Sequence, residues 1–298
     1  MAMKTFNPAN ESNPWMFKTF LGAVGPRPIA FASTVDKDGR PNLAPFSFFN
    51  AFGVNPTTIV FSPSRRGRDN TTKNTLDNVK EVKEVVINVV TYSMVEQTNL
   101  ASTEYDKGVN EFVKAGFTAI RSETVRPARV KESPVQFECK VREVIETGGA
   151  GSANLVVCEV QRVHIREDLL DEDNLIDQNK IDLVGRMGGN FYVRAHGDAL
   201  FEVEKPILKK GIGIDRLPDH IKDSKVLTGN DLGKLGNTET YPEDKDIVEV
   251  KQLPEVKEII DDQSLDSSQK QVEIQRLASV FLAEGEVLKA FAMLMIKT

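Results

Sequence analysis

The chain has 298 residues, 40% hydrophobic and 28% charged, a balance that supports a packed core and excludes global disorder. Its formal net charge of -6 and pI near 5.4 argue against broad nucleic-acid binding, which depends on Lys and Arg neutralising phosphates. Two cysteines, Cys139 and Cys158, sit inside apolar strand-like runs; they read as buried thiols rather than a disulfide, and no Cys/His spacing suggests a metal.

The opening MAMKTFNPANESNPW has no apolar core of the kind a signal peptide needs. No run of about 18 apolar residues follows, so no membrane span is expected and a cytoplasmic protein is the expectation. Pro28–Val35 reads as a strand and Asp36–Gly39 (DKDG) as a tight turn. Gly39–Pro56 (GRPNLAPFSFFNAFGVNP) reads as an apolar loop, yet it carries Asn42, Ser47 and Asn50. Small polar groups among aromatics and prolines suit a planar ligand with a polar edge. Thr57–Ser62 and Glu84–Thr91 are β-branched strand patterns. Between them, Leu76, Val79 and Val82 set a helix over Thr71–Val82 with Thr as cap, and a short helix is expected at Ser93–Ala101.

Pro134–Ile145 alternates Val135, Phe137, Cys139 and Val141 on one face, and Asn154–Ile165 is a comparable strand. Thr147–Ser152 (TGGAGS) joins them as a hairpin loop. Many strands with few helices between them favour an antiparallel barrel over a doubly wound sheet. The composition changes near Lys205. Residues 1–205 read as one domain, 206–240 as a loop-rich arm, and 241–298 as an acidic linker followed by a helical extension. In that extension Leu277, Phe281, Leu288, Phe291 and Met295 form an apolar stripe, interrupted at Glu284–Gly285.

Three places could carry chemistry. Ser62–Lys73 (SPSRRGRDNTTK) is the most basic segment of an acidic chain, lying between a strand and a helix start. Charged donors, hydroxyls and free helix amides suit a phosphate; an exposed basic loop that keeps its charges in water fits the composition equally. Its spacing is not that of a P-loop. Gly185–Phe191 (GRMGGNF) offers close backbone approach, or is a turn. Of the three histidines, His164 reads as packing, His220 lies in the polar arm, and His196 is the candidate for contact with a substrate. Catalytic residues are otherwise unassigned. The acidic segment Glu167–Asp182 lacks EF-hand order and reads as a solvated loop.

In order and spacing these segments resemble the flavin-reductase-like family with the FMN-binding split barrel. The resemblance runs from GPRPIAFASTVDKDGRPNLAPFSFFNAF through KNTLDNVKEVKEVVINVV and ESPVQFECKVREVI to IDLVGRMGGNFYVR, about residues 20–205. It implies a mainly β, antiparallel split barrel with a few peripheral helices, a homodimer, and FMN near the subunit interface. Pro45 and Phe48 would face the flavin ring, Ser47 and Asn50 its polar edge, and Asn88 would add a flavin-side contact. Ser62, Arg65, Lys73 and Thr75 would hold the phosphate. The chain departs from the family with Asn74 where Asp is common, which leaves open which of Arg65, Arg66 and Arg68 points inward. The implied activity is an oxidoreductase passing hydride from NADH or NADPH to flavin N5. The alternatives are an FMN electron-transfer protein with another donor, or a partner-binding protein using its C-terminal helices.

Overall fold

The computed structural model describes residues 2–207 and 209–297. The chain divides into two compact units, Met1–Phe201 and Glu202–Thr298.

The first unit is built on one antiparallel sheet of seven strands. These are β1 (Ala30–Val35), β2 (Pro41–Phe46), β3 (Phe49–Val54), β4 (Thr57–Phe61), β5 (Glu84–Val89), β8 (Val135–Glu146) and β9 (Asn154–Ile165). Two-residue strands β6 (Ala119–Ile120) and β7 (Arg129–Val130) pair with each other, as do β10 (Leu183–Arg186) and β11 (Tyr192–Ala195). The sheet order is β2-β1-β5-β8-β9-β4-β3. Its two edge strands are therefore consecutive in the chain, separated only by Ser47 and Phe48. Neighbouring Cα atoms lie 3.8 Å apart, so Phe46 and Phe49 are at most about 11 Å apart. The sheet must coil until its edges approach. No ladder joins β2 to β3 among the described residues, so the coil stays open rather than closing into a barrel.

The stretch Gly39–Pro56, expected to be a loop, forms these two edge strands. Pro41 and Pro45 are compatible with β2 because an edge strand leaves half its N–H groups without a ladder partner. The coil's interior is filled by Ala30, Ala32, Ile59, Phe61, Val85, Ile87, Cys139 and Val156, with Leu76 and Val79 of α2 (Asn74–Glu81) completing the cluster. Phe31 and Leu43 face the other side, against Phe112, Ala115 and Phe117. Both faces of β1 are thus buried along its whole length, polar Ser33 and Thr34 included. Helices α1 (Asn13–Ala23), α3 (Val95–Leu100) and α4 (Glu111–Ala115) complete this unit. Helix α2 starts at Asn74, and no Thr side chain caps it. Cys139 and Cys158 are buried free thiols.

Among its described residues the second unit carries helices and no strand, in keeping with the helical extension expected at the C-terminal end. Its helices are α5 (Asp219–Lys222), α6 (Gly229–Gly236), α7 (Asp244–Val250), α8 (Pro254–Asp261), α9 (Ser267–Ala283) and α10 (Val287–Leu294). The expected arm contains α5 and α6, and the expected acidic linker contains α7 and α8. Thr228 and Asp231 form a capping box on α6, and Glu243 and Asp246 form one on α7. Their sparse apolar residues, Leu217, Ile221, Leu235, Val250 and Val256, share one core with Ile274, Leu282 and Phe291. The chain turns at Glu284–Gly285, where Gly285 adopts a φ of +86°, a left-handed conformation that favours glycine.

Candidate functional site

Helix α2 begins three residues after a tight loop that follows β4. Ser62 is set first: its N–H donates to Phe48 O at 2.8 Å, and its Oγ accepts from Asn154 N–H at 3.2 Å. Asn154 Nδ2 also donates to Pro63 O at 2.8 Å, so the first residue of β9 pins the loop's root. Arg65 N–H donates to Ser152 O at 3.0 Å, docking the loop on the glycine-rich hairpin. The loop then closes on itself through Arg66 N–H to Thr71 O and Asn70 N–H to Arg66 O, both 2.9 Å. Asn70 makes this turn with φ of 58°, which Asn tolerates better than most residues.

A cavity of about 250 Å³ lies between this loop, β2 and the segment after α3. Ala44, Pro45, Phe46 and Phe48 line it with apolar surface, joined by Phe17 of α1. Phe17 and Phe48 meet edge to face, with ring centroids 6.3 Å apart. Ser62, Ser64, Arg66, Lys73, Asn74 and Thr75 supply donors. The α2 N-terminus has no side-chain cap, and the amides of Asn74 and Thr75 have no acceptor among the described residues. Uncapped helix amides beside Arg and Lys favour an anion.

Thr75 is held by a buried chain of side chains. Asn42 Nδ2 donates to Thr75 Oγ1 at 2.9 Å and to Thr34 Oγ1 at 3.2 Å, and Asn78 Nδ2 donates to Thr34 Oγ1 at 3.1 Å. Because Thr75 Oγ1 accepts from Asn42, its hydroxyl proton is free to donate elsewhere.

Six of the nine residues expected at a flavin site border this cavity: Pro45, Ser47, Phe48, Ser62, Lys73 and Thr75. Three lie elsewhere. Asn50 is exposed on β3, and its Oδ1 accepts from Ala51 N–H at 2.8 Å. Arg65 donates to Asn70 Oδ1 at 2.7 Å and to Asn70 O at 2.6 Å, and stands 3.8 Å from Glu146. Arg66 is the loop arginine that reaches the cavity. Asn88 is fully buried between Phe31 O and Val130 N–H, both at 2.9 Å, and serves the sheet.

His196 is exposed and outside the cavity lining. His164 Nε2 meets Glu138 Oε1 at 2.8 Å, and His220 Nε2 meets Leu294 O at 2.9 Å. The GRMGG segment ends β10 with Gly185 and Arg186 and enters the turn to β11 with Met187, Gly188 and Gly189. Its glycines admit close contact with the chain itself: a Cβ on Gly185 would stand 2.8 Å from Pro26, and one on Gly188 3.1 Å from Gly22.

Two acidic residues border the cavity without having been anticipated. Glu104 Oε1 accepts from Lys73 Nζ at 2.9 Å and from Arg66 Nε at 3.0 Å, while its Oε2 lies 3.0 Å from Arg68 Nη2. The bonds from Lys73 and Arg66 outweigh partial burial and hold its pKa down at about 2. Glu111 Oε2 accepts from Leu43 N–H at 3.0 Å, satisfying an edge amide of β2; burial pushes its pKa up. Neither had a local sequence signal, since Glu104 lies 31 positions from Lys73 and Glu111 lies 68 from Leu43. Among the described residues, no group of three or more His, Cys, Asp or Glu is placed to hold a metal ion.

Residues 23–182 match the flavin reductase like domain model, more than half of the chain, so the protein belongs to that family. A protein of Aquifex aeolicus is 38% identical over 188 residues, covering 63% of this chain and 94% of its own. One from Halalkalibacterium halodurans is 35% identical over 207 residues, covering 68% and 97%. Among solved structures, nitrilotriacetate monooxygenase component B from Bacillus cereus aligns with a TM-score of 0.64 at 30% identity, covering 68% of this chain and all of that one. The 2-nitrobenzoate 2-nitroreductase of Pseudomonas fluorescens aligns with a TM-score of 0.60 at 26% identity, covering 70% and 100%.

Proposed function

We propose that this protein is an FMN-dependent oxidoreductase that draws electrons from NADH or NADPH. The observation that carries the reading is one cavity joining an apolar wall from β2 to an uncapped helix N-terminus flanked by Arg66 and Lys73. That donor set fits a phosphorylated, planar, partly apolar ligand better than it fits a neutral one. Ser62, Arg66, Lys73, Thr75 and the amides of Asn74 and Thr75 would hold the phosphate. Pro45, Phe46 and Phe48 would cover the ring. Membership of the flavin reductase like family supports the redox assignment, as do the monooxygenase component and the nitroreductase among its structural neighbours.

Bound FMN would supply the hydride chemistry, accepting from a nicotinamide and passing electrons on. The chain's own residues orient and shield it, and no side-chain acid or base is required. A second copy of the chain would complete the site. The exposed edge strand β3 and helix α1, which buries none of its own residues, support a homodimer.

The test is the visible spectrum of the protein with FMN, before and after anaerobic NADH or NADPH. Bound flavin that bleaches supports the reading. Bound flavin that stays oxidised points to an electron-transfer protein with another donor. Failure to bind FMN would sink the proposal.

A further inference from the structure

Glu104 lies in the cavity wall and takes the cations that face it. Lys73 and Arg66 converge on one oxygen, Oε1, at 2.9 and 3.0 Å. A single anionic oxygen receiving an ammonium and a guanidinium at those distances stands where a phosphate oxygen would stand. Arg66 is otherwise committed to Thr71 Oγ1 at 3.0 Å and to Thr72 O, which fixes its reach from behind. Glu104 itself belongs to an irregular stretch between α3 and α4, with no regular element to hold it in place.

We infer that Glu104 is a resident anion that competes with the flavin phosphate for Arg66 and Lys73, making the flavin an exchangeable ligand rather than a tightly held group. This rests on the proposed FMN reading and deepens it. The physical reason is a difference of two states. Without ligand, the carboxylate neutralises part of the cation cluster. A phosphate monoester, carrying close to two negative charges at neutral pH, must displace it or sit beside it, and either lowers the net gain. A flavin lacking phosphate has no reason to disturb the pair. Glu104 therefore sets how much the phosphate adds to flavin affinity.

The experiment is titration of the full chain with FMN, riboflavin and inorganic phosphate, comparing wild type, Glu104→Gln, Glu104→Asp and Arg66→Ala. The expected result is FMN binding roughly tenfold tighter in Glu104→Gln, with riboflavin unchanged within about twofold. Inorganic phosphate should tighten in parallel. Glu104→Asp keeps the charge but shortens the reach, so it should shift FMN affinity the same way by less; it serves if the Gln variant does not fold. FMN binding that is unchanged or weaker in both Glu104 variants would overturn the inference, a weakening meaning that Glu104 positions the cations for the phosphate. Failure of the flavin reading looks different: wild type and Arg66→Ala would bind FMN no better than riboflavin. The inorganic-phosphate titration then decides alone. Tightening in the Glu104 variants upholds the competing anion, and no change refutes it.

Discussion

Asn42 and Thr75, 33 positions apart, are joined by a 2.9 Å hydrogen bond that ties edge strand β2 to the first turn of α2. The same amide reaches Thr34 on β1, so one buried side chain ties the cavity's apolar wall to the end that carries Lys73 and the α2 N-terminus. Asn42→Ala removes both bonds and leaves buried hydroxyls short of a partner. The expected loss is about 1–3 kcal/mol of stability, measured by chemical denaturation, together with weaker FMN binding.

The neighbouring arginines should behave oppositely. Arg65 is occupied by Asn70 and lies near Glu146, whereas Arg66 and Lys73 border the cavity. Arg66→Ala and Lys73→Ala are each expected to weaken FMN binding roughly tenfold to a hundredfold, the usual loss for a bond to a charged group. Arg65→Ala should stay within about threefold. Flavin fluorescence titration separates them, and equal effects at 65 and 66 would refute the assignment.

Glu138 makes a prediction about acid stability. Its side chain is fully buried, which by itself raises its pKa. The hydroxyl and amide of Thr124, both at 2.6 Å, and the amide of Glu123 at 2.8 Å outweigh burial and bring the value down to about 2. A folded value below the ordinary 4.5 means its stabilisation is complete above about that pH and is lost as pH falls toward 2. Denaturation midpoints measured across that window should fall less steeply for Glu138→Gln than for wild type. Identical slopes would show that the carboxylate does not contribute.

The helical unit has its own core, in which Leu235 and Ile274 are fully buried. Leu235→Ala should cost that unit about 2–5 kcal/mol. No residue lining the described cavity belongs to it, so FMN affinity should be unchanged in the same variant. A parallel loss of flavin binding would show that the helical unit supports the site.

Local pattern was enough to locate most of the elements. The β-branched runs at Thr57–Ser62 and Glu84–Thr91, the alternation at Val135–Val141 and the helical spacing of Leu76 and Val79 each state a burial preference within a few residues. Those preferences survive folding because each stripe meets an apolar partner. Of the two segments singled out for their composition, Ala44–Phe48 and part of Ser62–Lys73 line the cavity, while Asn50 and Arg65 do not. What local pattern does not encode is pairing across distance. Nothing near position 104 in sequence indicates that it meets Arg66 and Lys73, and nothing within SRRGR separates Arg65 from Arg66 until Asn70 claims one of them. The edge strands hidden in an apolar loop, and a helical core assembled from apolar residues scattered through Leu217–Val256, have the same origin. Each depends on groups brought together by the coil of the sheet or the packing of short helices, contacts whose energy no single segment carries.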